Sequence, residues 1–135
     1  MSIRFRRLAA LPVLCAGIVL ALPAAAIAET GNQGLLSDSS STVNSGGHVR
    51  ASGSFQDDGE IFRVTDKYGD GYSAFIIYTA EGNSSACINS GGAGTTRTCD
   101  LSFDEGATVT WRVCFGHSGT WWDPVKCGPT ITDHA

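Results

Sequence analysis

A chain of 135 residues with thirteen Asp and Glu against nine Lys and Arg carries a formal net charge of −4. That length allows one modest core and leaves no room for two ordinary domains. The acidic balance repels phosphate backbones and anionic lipid, which argues against nucleic acid or a membrane surface as a partner.

The first predicted element is an export signal. Arg4, Arg6 and Arg7 precede an apolar run from Leu8 to Leu22, and Ala26-Ile27-Ala28 places small residues where a signal peptidase cuts, so residues 1–28 read as a secretory signal peptide. The run is shorter than the ~20 residues that span a bilayer, so the mature chain is expected to be secreted and extracellular, with no membrane segment. Arg6-Arg7 lacks the sequel of a twin-arginine signal, and Cys15 follows Leu14 where a lipoprotein cysteine needs a small residue. Cleavage removes all three signal arginines, leaving six Lys and Arg against thirteen Asp and Glu, a formal charge of −7.

Cleavage also removes Cys15 and leaves Cys87, Cys99, Cys114 and Cys127, an even number in an oxidising compartment. Four cysteines allow three pairings. The sequential one, Cys87 with Cys99 and Cys114 with Cys127, is expected, because each pair brackets a strand, a turn and a returning strand. Each loop is about 13 residues, and closing it stabilises the fold by roughly 3 kcal/mol. No C-x-x-C spacing and no histidine cluster points to a metal, and no cofactor is implied.

Residues 29–47, rich in Ser, Gly and Asn, read as a flexible leader before a domain over 48–135. Val49, Ala51, Gly53 and Phe55 then alternate with polar residues, Asp57-Asp58-Gly59 turns the chain, and Ile61 to Thr65 returns as a hairpin partner. Gly69 and Gly71 permit a tight reversal before Ala74 to Tyr78, an apolar run predicted to be buried on both faces. Ala86–Asn89 and Thr95–Leu101 flank the glycine-rich segment 90–94, which is expected to be a turn joining Cys87 to Cys99. Ala107, Val109, Trp111, Val113 and Phe115 show period two, which makes Trp111 a core residue, and a last strand is predicted around Lys126 to Thr132. Six or seven short strands without helical periodicity predict an all-β, antiparallel β-sandwich, immunoglobulin-like or related, with a small β-barrel as the alternative.

The stretch Asp66-Lys-Tyr-Gly-Asp70-Gly71-Tyr-Ser73-Ala74, the glycine-rich segment between cysteines, and Phe103-Asp-Glu105-Gly106 before Val109-Thr-Trp-Arg-Val-Cys114 carry a resemblance. Over about Gly59 to Ala135 the chain resembles the small uncharacterised secreted β-proteins of filamentous actinomycetes. The resemblance implies an extracellular β fold with two disulfides and brings no activity and no catalytic residue.

Three constellations invite chemistry. Asp66 and Asp70 suggest a calcium loop, but counting from Asp66 places Tyr68 at position three and Ile77 at twelve, where oxygen ligands are required, so the EF-hand fails. A weaker calcium site there is outweighed by plain turn chemistry. His117, Ser118 and Asp123 are the residue types of a nucleophilic triad, yet they share one loop with no strand-to-helix elbow, while His48 and His134 lie near the domain's ends. Trp121-Trp122 is the most informative feature, because neighbours in a strand face opposite ways and both cannot enter one core. The bland reading has one of them lid the sandwich; the functional one has the exposed ring stack on a sugar or fill a partner's pocket, with Tyr68 and Tyr72 as further candidates. The expected function is a secreted non-enzymatic binding protein whose partner is an extracellular protein or polysaccharide. A secreted inhibitor of an extracellular hydrolase is the alternative, and a small secreted enzyme the third.

Overall fold

The computed structural model describes residues 38–135. The expected signal peptide, 1–28, and residues 29–37 of the expected leader lie outside the described residues. Among the described residues no helix is long and apolar enough to cross a membrane.

The strands are β1 (Ser39–Ser45), β2 (His48–Gln56), β3 (Ile61–Asp66), β4 (Ser73–Ala80), β5 (Asn83–Asn89), β6 (Thr96–Asp100), β7 (Thr108–Gly116), β8 (Lys126–Cys127) and β9 (Ile131–His134), with one 3-10 turn at Ser118–Thr120. They form two antiparallel sheets. One has the order β1-β2-β3-β6; in the other β5, β4 and β7 are neighbours, and β8 and β9 both pair with β7. The chain is therefore all-β and sandwich-like, with the disulfides Cys87–Cys99 and Cys114–Cys127.

Alternation along each strand produces the core. Val43, Ala51, Phe55, Phe62 and Val64 of the first sheet meet Ala74, Ile76, Val109, Trp111, Val113 and Phe115 of the second. Each large apolar side chain so removed from water stabilises the fold by roughly 1.5–3 kcal/mol. Phe62 is the aromatic hub, its ring centroid 4.7 Å from Phe55, 5.2 Å from Tyr78 and 5.7 Å from Trp111. The sheets approach closely at Gly53, where a Cβ would stand 2.8 Å from both Ile76 Cδ1 and Val113 Cγ2. The apolar run in β4 is explained by its two environments: Ala74 and Ile76 face the core, whereas Phe75, also buried, lies on the other face opposite Cys114.

The structure corrects three expectations. The leader is not flexible up to Gly47: Ser39–Ser45 is an edge strand whose ladder with β2 satisfies its backbone, with Val43 buried. The segment between Cys87 and Cys99 is not a hairpin, because β5 and β6 belong to different sheets. Cys87 stands opposite Ile76 and Cys99 opposite Phe62, so both point between the layers and their bond crosses the sandwich. The predicted final strand is broken at Gly128-Pro129 into β8 and β9, since proline has no N–H for the ladder. Gly128 meanwhile is pressed against the backbone of Thr42.

Asn89 holds the crossover from β5 to β6. Although buried, its amide uses its full bonding capacity: Nδ2 donates to the carbonyls of Val64 at 3.3 Å and Thr95 at 2.7 Å, and Oδ1 accepts from Gly91 N and Thr95 Oγ1, each at 3.0 Å. A side chain on one sheet thus bonds to a carbonyl of the other.

Candidate binding surface at the loop end

Strand alternation sends four connections to one end of the sandwich: the β1–β2 turn and the segments 67–72, 90–95 and 117–125. Hydrogen bonds tie two of them to neighbouring strands, Lys67 N to Arg50 O of β2 at 2.9 Å and Gly94 N to Asp66 O at the end of β3 at 2.8 Å. This end carries every sequence-predicted binding residue.

Trp121 and Trp122 follow the 3-10 turn between β7 and β8. Their rings meet edge to face at 5.9 Å, Trp121 half-buried and Trp122 66% exposed. The loop is folded back by successive bonds, Thr120 N to His117 O at 3.0 Å, Asp123 N to Thr120 O at 2.8 Å and Val125 N to Phe115 O at 3.0 Å. Cys114–Cys127 closes its base, directly opposite one another in the β7–β8 ladder. Val125 is 53% exposed beside it.

Tyr72 is packed against Phe115 at 5.7 Å and His117 at 5.1 Å, so it touches the tryptophan loop through His117. Tyr68 stands elsewhere, its ring 4.7 Å from His48 and covered by Arg50, whose Cζ is 4.1 Å from the ring centroid. Among the described residues no ring contact joins either tyrosine to a tryptophan. The four candidates therefore form two groups, not one platform.

Arg50 is the residue that sequence reasoning misses. The β1–β2 register steps from Val43–Ala51 to Asn44–Val49, which leaves Arg50 unmatched in a bulge, and a bulge re-aims its side chain. Its Nη1 meets Asp70 Oδ2 at 2.5 Å, Nε donates to Ser45 O at 3.1 Å, and Cζ lies 5.7 Å above the buried Phe115 ring. The guanidinium covers the end of the core between two aromatic faces. No local sequence signal marks it, because the bulge depends on pairing with another strand.

The aspartates of segment 66–72 are turn-formers. Asp66 Oδ1 accepts from Tyr68 N at 3.1 Å and Asp70 Oδ1 from Tyr72 N at 2.9 Å, two Asx turns in tandem. Burial pushes the Asp66 carboxyl above its ordinary range, the Tyr68 amide pulls it back, and the nearby Asp70 charge adds to the rise. Among the described residues no group of three or more His, Cys, Asp or Glu is arranged to hold a metal ion. His117, Ser118 and Asp123 are all exposed, and His117 packs on Tyr72.

No family model, curated protein or solved structure matches the chain. The loop end presents an indole two-thirds exposed on a disulfide-closed loop, in edge-to-face contact with a half-buried second indole.

Proposed function

We propose that this is a secreted, non-enzymatic binding protein that recognises polysaccharide through the loop 117–125, with Trp122 as the stacking residue. One observation carries the reading: a tryptophan two-thirds exposed sits on a loop cross-linked at its base, where a monomeric fold gains nothing from leaving so large an apolar ring in water. A ring already held in place loses little freedom on contact, which favours binding. Two disulfides in a chain this small fit an oxidising, extracellular setting.

The test compares wild type with Trp122→Ala for retention on insoluble polysaccharides and isolated cell walls. Wild type is retained, and the variant loses retention by at least about tenfold with an unchanged melting temperature, because Trp122 contributes little to the core. Absent wild-type retention, or equal retention of both proteins, overturns the reading. Inhibition of a hydrolase by the same loop, in place of retention, would assign the surface to an enzyme cleft.

A further inference from the structure

The outward face of the β1-β2-β3-β6 sheet carries an array that solubility alone does not call for. The registers place Ser40, Ser54, Arg63 and Thr98 in one row across the four strands, and Thr42, Ser52, Thr65 and Thr96 in the next. With strands about 4.8 Å apart and same-face residues about 6.7 Å apart along each strand, the array covers roughly 14 by 7 Å. It consists of seven hydroxyls and one guanidinium. The short serines of β1 and β2 leave a hollow of about 420 Å³ beside Arg63.

The bonding within the array is incomplete. Thr65 and Thr96 share a hydrogen bond at 2.7 Å, but among the described residues none engages the hydroxyls of Ser40, Thr42, Ser52 or Ser54. Arg63 donates from Nη1 to Gln56 Oε1 at 3.1 Å, an uncharged partner. In a chain with thirteen Asp and Glu, no carboxylate lines the hollow. Asp100, on the same face, stands one row beyond, opposite Ile61.

We propose that this hollow binds a sugar acid, a polyhydroxylated ring bearing a single carboxylate. Arg63 receives the carboxylate in a charge-assisted, fork-like contact, and the serine and threonine rows exchange hydrogen bonds with the ring hydroxyls. An inorganic anion is too small to use both rows. A polyanion is disfavoured by the acidic remainder of the surface, and one guanidinium matches one negative charge. The site is on a different face from the tryptophan loop and does not depend on its role.

Amide chemical shifts of the naturally processed, oxidised, ¹⁵N-labelled protein test this directly, with sodium D-glucuronate, D-glucose and sodium acetate titrated at matched ionic strength. Glucuronate shifts amides of β1, β2 and β3 and binds at least tenfold more tightly than glucose or acetate. Arg63→Gln loses that binding, and Ser54→Leu, which fills the hollow while keeping Arg63, loses it too. Arg112→Gln keeps it, since Arg112 occupies a smaller hydroxyl-lined hollow on the opposite sheet, and Trp122→Ala keeps it as well. No response to glucuronate, an equal response to acetate or to glucose, or equal losses in the Arg63 and Arg112 variants overturns the assignment; the dispersed spectrum itself reports that each variant is folded.

Discussion

Trp111 donates its indole N–H to Oδ2 of Asp133 at 2.7 Å, and the hydroxyl of Ser39 donates to the same oxygen. Trp111 is the largest fully buried side chain, and Asp133 is buried as well. One carboxylate on β9 therefore satisfies the polar atom of the core tryptophan on β7 and ties both to β1 in the facing sheet. A buried indole N–H without an acceptor would keep its desolvation cost uncompensated.

Replacing Asp133 by Ala should lower stability by about 2–3 kcal/mol, because it strands that N–H and releases β1. Asp133→Asn retains an acceptor and should lose less. Urea unfolding with an unchanged m-value would show that the loss is in the folded state. A loss under about 0.5 kcal/mol would mean that the bond carries none of this weight.

Each disulfide closes a loop of similar length, with sequence separations of 12 and 13, so chain entropy alone predicts nearly equal effects of about 3 kcal/mol. Their surroundings differ. Cys87 belongs to the core cluster, whereas Cys114–Cys127 lies on the other face of its sheet. Cys87 and Cys114 are nonetheless both fully buried and their partners half-buried, so replacing either pair by Ala should cost a similar amount of stability. The Cys114, Cys127 double variant should in addition loosen the tryptophan loop, read as faster proteolysis between residues 117 and 125, which the Cys87, Cys99 variant should not show. Equal cleavage of that loop in the two variants would contradict the distinction.

The contrast between the two disulfides also shows what the sequence could reveal. Period-two burial made β2, β7 and Trp111 legible, and the apolar run marked β4 as central. Pairing of neighbouring cysteines was legible too, but its meaning was not: whether Cys87 and Cys99 join adjacent strands or opposite layers depends on which sheet β6 enters, and that is set by β3. The strand β1 escaped notice because its serines give no apolar signal beyond Val43, although an edge strand needs only one buried face. In the site, one of the adjacent tryptophans is exposed as expected, but both lie in a turn, so strand alternation is not the reason. Tyr68 looked equally available, yet Arg50 covers it through a bulge that no local pattern announces.

Gly53 should tolerate no side chain at wild-type stability. A methyl there meets Ile76 and Val113 from the facing sheet, and overpacking of this kind costs about 1–3 kcal/mol. Ile76→Val removes one of the two obstructing groups, so the Gly53→Ala, Ile76→Val double variant should lose less than the sum of its parts. Additive losses in thermal or urea unfolding would place the strain elsewhere.

Asp66 gives a prediction with a sign in pH. Its carboxyl is raised by burial and by the Asp70 charge, so the folded state holds the proton more tightly than the unfolded chain does. Below the ordinary carboxylate value the group is protonated in both states and its burial carries no ionic penalty. As pH rises through the raised value the folded carboxyl ionises, the penalty becomes complete, and it stays constant above. Asn at this position keeps an Oδ1 to accept from Tyr68 N and never ionises. Asp66→Asn should accordingly be more stable than wild type at neutral pH, with the two urea midpoints converging as pH falls toward the ordinary aspartate range. Asp66→Ala removes the acceptor along with the charge and should be less stable than Asp66→Asn at every pH. If Asp66→Asn is instead the weaker protein at neutral pH, the ionised carboxylate is favourable in the fold, and the balance between desolvation and hydrogen bonding at the start of this segment runs the other way.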